Sequence, residues 1–326
     1  MLSGSGILRY VTPRTLFRKV VPLSIRRALT QPFAMRRSDG VHTPKYTDKA
    51  AGIRRFPLLL PQPPGSKKTS PRALDLTVPS DTSIPRALAL RGLAGYEPEA
   101  LAVVLGLLGN FKEPTFFDIG ANAGPFCLIA SALTRANVYA FEPAPALAET
   151  LRRIRKDNGL KFDVEELAFG AESGRAELFL STTSDASNSL RSDFRPHTSS
   201  VEVEVETLDG YCARTGRIPD VMKVDTESTE PEVLRGARSM LEKNRPWIIC
   251  EVLAGRTENA LEKVFAPLDY HWYQIGKGAR LEERSIISGD PTHAMRDWLF
   301  APTTLDPNQT DAVGAWFGSL SECVPL

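Results

Sequence analysis

Four carboxylates and two glycines carry the chemistry legible in this chain. Asp118, Glu142, Asp225 and Glu251 each stand at or near the end of a short apolar run: Phe116-Phe117, Val138 to Phe141, Val221 to Val224, and Trp247 to Cys250. Gly120 and Gly124 follow Asp118 and frame a turn where backbone can meet a ligand with no Cβ in the way. The next run, Phe126-Cys-Leu-Ile-Ala130, reads as a buried helix whose free N–H groups face that turn. Strand, glycine turn, helix, strand and acid, in that order, make a site for a nucleotide-type ligand, with Glu142 placed to bond ribose hydroxyls. A plain strand-to-helix turn would explain the glycines alone. It would not explain the strand-end acid that follows.

The elements that must position these residues alternate. Pro98 opens a helix; Pro143 opens another that runs to about Asp157, with Leu147, Leu151 and Ile154 on one apolar face. Further strands are expected at 163–169, 176–180, 201–206, 221–225, 247–251 and 270–275. Helices are expected from Glu230 to about Lys243 and from Thr257 to Phe265. This alternation predicts an α/β fold with an open, mostly parallel, doubly wound sheet. In such a sheet all four acids reach the carboxyl edge, where open α/β folds bind ligands. Four carboxylates there suit a cationic ligand better than a pyrophosphate. Residues 181–199 are polar and too long for a simple connection, which marks a functional or disordered loop.

A chain of 326 residues, 42% of them hydrophobic, can bury a sizeable core. Its net charge of +1 hides a division. Residues 1–75 hold 15 Lys/Arg against Asp39, Asp48 and Asp75, and the remaining 25 basic residues face 36 acids. Residues 1–80, with their Arg pairs, prolines and serines, read as a basic, Pro-rich, largely irregular and disordered extension. The first 38 residues have no acid, and Leu16, Val20 and Leu23 could form a short amphipathic helix of the organelle-targeting kind. A folded domain is expected over 84–303 and a tail over 304–326. No apolar run approaches the roughly 20 residues of a membrane span. The four cysteines lack a C-x-x-C spacing and favour a reducing, cytoplasmic setting, and the four scattered histidines give no metal-ligand pattern, so no metal is expected.

Asp118-x-Gly120-x-x-x-Gly124 with Glu142 at the next strand end departs from the G-x-G-x-x-G dinucleotide spacing and looks like the S-adenosylmethionine (SAM) site of class I methyltransferases. The wider set resembles the FkbM family of SAM-dependent methyltransferases. Its matching pieces are Phe-Asp118-Ile-Gly120-Ala-Asn122-Ala-Gly124, Phe-Glu142-Pro143, Leu167-Ala168-Phe-Gly, Ser189-Leu190, Thr207-Leu208-Asp209, Met-Lys223-Val-Asp225-Thr-Glu227, Val233-Leu-Arg-Gly236-Ala and the strand ending in Glu251. The resemblance implies a Rossmann-like fold with Asp118, Gly120, Asn122 and Gly124 along the methionine part of SAM and Glu142 on the ribose. Glu166 and Ala168 would flank the adenine, and Asp225 and Glu227 would stand near the transferred methyl. It implies O-methylation of a hydroxyl on a small molecule or sugar. Two departures stand out. Ser228 replaces the glycine the family commonly carries after the Asp-x-Glu pair, and Pro125 directly follows Gly124.

Asp225 is a candidate base for a hydroxyl acceptor, and equally a capping carboxylate for the helix from Glu230. Glu227 fits the same part. Lys223 alternates away from Val224 and reads as a structural ion-pair partner. Two other functions compete: a non-catalytic SAM-fold binding module, favoured by Ser228, and a nucleic-acid methyltransferase using the basic arm. The acidic core argues against the second, because duplex binding needs basic charge near the site.

Overall fold

The computed structural model describes residues 46–48, 52–67, 70 and 72–325. The acid-free first 38 positions and their expected amphipathic stretch lie outside these residues. Eight strands form the central sheet: β4 (Thr115–Ile119), β5 (Asn137–Phe141), β6 (Phe162–Glu165), β10 (Val221–Val224), β11 (Trp247–Glu251), β12 (His271–Gly276), β13 (Arg280–Glu283) and β14 (Asp297–Ala301). Their order is β13-β12-β14-β11-β10-β4-β5-β6. From β11 through β6 the neighbours are parallel, whereas β14 runs antiparallel to both β11 and β12. The α/β reading with a mostly parallel sheet holds.

Each central strand alternates between two apolar layers. On one side Phe116, Val221 and Ile249 pack with α2 (Pro98–Leu108) and α3 (Pro125–Leu133); on the other Phe117, Met222 and Ile248 pack with Tyr211, Val233 and Leu261. The helix expected from Glu230 to Lys243 is two short ones, α6 (Glu230–Arg235) and α7 (Arg238–Lys243). They break at Gly236, where a Cβ would come within 2.1 Å of the Gly170 carbonyl oxygen. The strand expected over 163–169 also divides, into β6 and β7 (Ala168–Phe169). β7 joins β8 (Gly174–Ser181) and β9 (His197–Glu206) in a separate three-stranded sheet.

Two segments are more ordered than their composition suggests. The sequence reading leaves residues 1–80 irregular, yet β2 (Ile53–Leu59) and β3 (Ala73–Pro79) pair antiparallel, and Leu58, Leu74, Leu76 and Val78 are buried in the main core. The reason is the period-2 run Leu74-Asp-Leu76-Thr-Val78, whose apolar face composition averages away. The Asn158 side chain, at the end of α4 (Pro145–Asp157), accepts the Asp75 N–H at 2.7 Å and donates to its carbonyl at 2.9 Å. The tail read over 304–326 contains α9 (Pro307–Ser321), started by a capping box between Asp306 and Gln309. Its Val313 lies against α2 so closely that a Cβ on Gly106 would stand 2.8 Å from Val313 Cγ2.

The turn after β10 carries Glu227 at φ 55° and Ser228 at φ 84°, both left-handed. Glu230, at the head of α6, accepts the N–H groups of Thr226 (2.8 Å) and Ser228 (3.2 Å) and so closes the turn. Ser228 is 4% exposed and its hydroxyl has no partner. A glycine fits this backbone without the strain a Cβ brings.

Leu76→Ala should cost about 2–5 kcal/mol in denaturant unfolding, the range for a leucine cavity in a packed core. A surface-like loss of a few tenths would mean that the β2–β3 hairpin lies outside the cooperative unit. Ser228→Gly should stabilise by about 1 kcal/mol, since left-handed strain of about 1–3 kcal/mol outweighs the extra unfolded-state freedom of glycine. Destabilisation by the same amount would show that the serine side chain holds the turn.

Candidate active site

The central sheet reverses its order between β4 and β10. From β4 the chain proceeds to β5 and β6 on one side, and from β10 to β11 on the other. Loops leaving the carboxyl ends of β4 and β10 therefore part, and a crevice opens between them. A cavity of about 350 Å³ lies there, lined by Asp118 to Asn122, Glu142, Ala168, Lys223 and Asp225 to Glu227 among others. Of the nine residues read as site residues, seven line it. Gly124 lies behind the turn, where a Cβ would meet Leu151 Cδ1 at 2.3 Å. Glu166 is outside the cavity, half-exposed and paired with Arg152.

Backbone geometry holds the two sides together. Gly120 sits at φ 80°, and a Cβ there would lie 1.8 Å from the carbonyl oxygen of Asp225. That contact, with the Asp225 N–H donating to Ile119 at 3.0 Å, locks the turn after β4 to the turn after β10. Asn122 is also left-handed, at φ 50°. Its side chain accepts the Ala123 N–H at 2.8 Å and donates to the Asp185 carbonyl at 3.2 Å, which ties the turn to the loop between β8 and β9. Asp118 is buried and accepts the Cys127 N–H in the first turn of α3 at 2.9 Å. Burial pushes its carboxyl up to about 6, against the pull of that bond and of Lys223.

Glu142 leaves the end of β5 with both oxygens oriented: one accepts the Asn122 N–H and the other the Ala144 N–H, each at 2.8 Å. Burial raises it to about 7, the two backbone donors opposing the rise. Each carboxylate oxygen has a second lone pair. A pair of vicinal hydroxyls reaching this carboxylate would meet an acceptor already fixed in place.

The other wall is a dense set of charges. Lys223 is 1% exposed; its ammonium bonds Asp225 at 2.9 Å and Asp297 at 3.1 Å and lies 5.3 Å above the Phe126 ring. Arg296 pairs with Glu251 at 2.5 Å and with Glu97 at 3.3 Å. These two cations face a larger number of acids. Burial first, and then Asp297, lifts Glu97 to about 8; burial and Asp225 lift Glu227 to about 9 and Glu230 to about 7. Burial also acts on Asp225, but Lys223 outweighs it and holds that carboxyl below its usual range. At neutral pH Asp225 is thus ionised, whereas Glu227 keeps its proton. Oxygens of Asp225, Glu230 and Glu251 lie within 4.8 Å of one another. Lys223 and Arg296 supply the positive charge this group needs.

Several site residues escape a reading by motif. Glu97 caps α2 from a left-handed φ of 45°, and Arg296 immediately precedes β14. The unusual acid before Pro98 was the available signal for the first; nothing local distinguishes the second. Ser189, by contrast, belongs to a matched motif piece in the polar loop; it is 2% exposed and donates to the Glu227 carbonyl at 2.7 Å, so it braces the turn rather than meeting solvent.

A family model for the methyltransferase FkbM domain matches residues 118–300. The hexuronic acid methyltransferase AglP of Haloferax volcanii is 30% identical over 150 residues, 44% of this chain and 58% of that protein, so the chain spans under two thirds of this relative's length. Among solved structures, methyltransferase FkbM from Methylobacillus flagellatus aligns at 17% identity and a TM-score of 0.38, over 58% of this chain and 43% of that one. The 16S rRNA N2 G1207 methyltransferase of T. thermophilus, in complex with AdoMet and guanosine, aligns at 14% identity and a TM-score of 0.42, over 76% and 50% of the two chains. With a family match that runs from Asp118 on β4 to Phe300 on β14, this chain belongs to the FkbM methyltransferase family.

Proposed function

We propose that this chain is a SAM-dependent methyltransferase that methylates a hydroxyl of a small molecule or sugar. The observation that carries this reading is the meeting, in one cavity at the sheet's switch point, of the Asp118–Asn122 turn and Glu142 with Asp225 and Glu227. The residues present fit the cofactor. Glu142 presents a fixed carboxylate to ribose hydroxyls, the Gly120 turn, held against the Asp225 carbonyl, lines the cavity, and the surplus of acids complements a sulfonium. SAM supplies a methyl group already activated by positive charge on sulfur. The chain aligns the acceptor oxygen, excludes water and receives the hydroxyl proton. Asp225, ionised and a quarter exposed to the cavity, takes that proton. Glu227, protonated, donates a hydrogen bond across the acceptor. The hexuronic acid named for the 30%-identical relative supports a sugar acid as the acceptor class. Four buried, unpaired cysteines support a reducing, cytoplasmic setting, and no described helix is long and apolar enough to cross a membrane.

Glu142 generates a pH test. Its ionised form accepts hydroxyls, and its carboxyl titrates at about 7, so SAM should bind about tenfold more tightly at pH 8 than at pH 6. The same raised value makes the ligand-free fold lose stability as pH rises from about 4.5 through 7. Calorimetric titration of wild type and Glu142→Gln reads the first effect: the variant should bind at least about tenfold more weakly at pH 8, with the pH slope gone. A slope retained in Glu142→Gln would assign it to another group.

Asp225→Asn should leave SAM affinity nearly intact and lower turnover on an identified acceptor by on the order of 10²-fold or more. Equal turnover in Asp225→Asn with loss in Glu227→Gln would exchange the two roles.

A further inference from the structure

Outside the residues that line the cavity, near the Glu227 turn, stand two arginines that the chemistry above does not use. Arg256 belongs to the loop that leaves the central sheet's carboxyl edge after β11, and Arg195 to the loop between β8 and β9 of the smaller sheet, which meets the Glu227 turn through Ser189. They converge on one ring. Their guanidinium carbons lie 4.8 Å and 5.2 Å from the centre of Phe194, which is 5% exposed. Among the described residues neither guanidinium makes a hydrogen bond or an ion pair, although the charge of Arg195 is felt at the Glu227 carboxyl and that of Arg256 at Asp193. Arg191, in the same loop, differs: Asp193 neutralises it at 3.0 Å.

The charges inside the cavity explain why free cations at this place matter. An anionic acceptor approaching Asp225 meets an ionised carboxylate beside further acids, and added cationic charge on its path lowers that repulsion. Arginine forks suit a planar carboxylate, and stacking on an aromatic face holds them with part of their freedom already lost.

We propose that Arg195 and Arg256, presented on Phe194, bind the carboxylate of a uronic-acid acceptor and leave its hydroxyl side toward Asp225 and Glu227. This rests on the methyl-transfer reading and adds the element that selects an acid over a neutral sugar.

The test pairs 4-nitrophenyl β-D-glucuronide with the matching neutral glucoside, using wild type, Arg195→Ala, Arg256→Ala and the double variant. Binding is measured by calorimetry with S-adenosylhomocysteine present, and methyl transfer by mass spectrometry. Wild type should bind the glucuronide at least about tenfold more tightly than the glucoside, and the double variant should lose that preference. S-adenosylhomocysteine affinity, equal in all four proteins, controls for folding. Equal binding of the two sugars by wild type, no binding of the glucuronide, or a preference that survives in the double variant overturns the assignment. Arginine-dependent glucuronide binding without methylation would uphold the anion site and sink the methyl-transfer reading. Methylation of the glucoside with no response to the arginines would do the reverse.

Discussion

An ammonium group buried in the middle of the sheet sets the terms for the whole site. Lys223 stands in register with Asp118 on β4 and Ile249 on β11, with only 1% of its side chain exposed. A lone charge there would cost several kcal/mol in lost hydration. Asp225 and Asp297 offset that cost from the end of one strand and the start of another. Because the two carboxylates must reach the same ammonium, the register of β14 and the exit of β10 are fixed together. Arg296 repeats the device one residue before β14, joining Glu251 on β11 to Glu97 at the head of α2. Two cations thus staple four segments, and acids remain in excess. The protons that Glu97 and Glu227 retain are the consequence of that excess.

The other constraint is steric. Gly120 and the Asp225 carbonyl approach so closely that no side chain fits between them. Two loops that diverge by topology are held in contact at their roots. Asp118 reinforces the first by capping α3, and Glu230 the second by accepting two N–H groups of its turn. The cavity is therefore shaped by backbone contacts that side-chain substitution does not easily reach, which suits a site that must hold a proposed cofactor and an acceptor in line.

What sequence could show follows from range. The strand–turn–helix around Asp118 and the acid at Glu142 are local patterns, and seven of the nine residues taken from them and from the wider family resemblance line the cavity. Glu166 failed because its neighbour Ala168 starts a different sheet, so the chain turns away between them. The β2–β3 hairpin and α9 were hidden for another reason. Each lies in a stretch of prolines and polar residues whose average composition is poor, although alternation in β3 and the Asp306/Gln309 box in α9 are plain once sought. The partnership of Arg296 with Glu97 joins positions 199 apart, and no local signal encodes it.

The loop between β8 and β9 joins these parts in chain order. Asp185 receives the Asn122 side chain beside the glycine turn, and its own carboxylate accepts the Ser83 N–H at 2.7 Å. Four residues on, Ser189 braces the Glu227 turn. Phe194 then carries Arg195, outside the residues that line the cavity. A single polar segment thus touches the glycine turn, then the acidic wall, and then presents Arg195. The acids that line the cavity and the arginines proposed to hold a carboxylate outside that lining separate opposite charges. The proposed acceptor, bearing both a hydroxyl and a carboxylate, would be oriented by that separation of charge before it touches Asp225, because reversing it would set its carboxylate against the acids and leave the arginines unpaired.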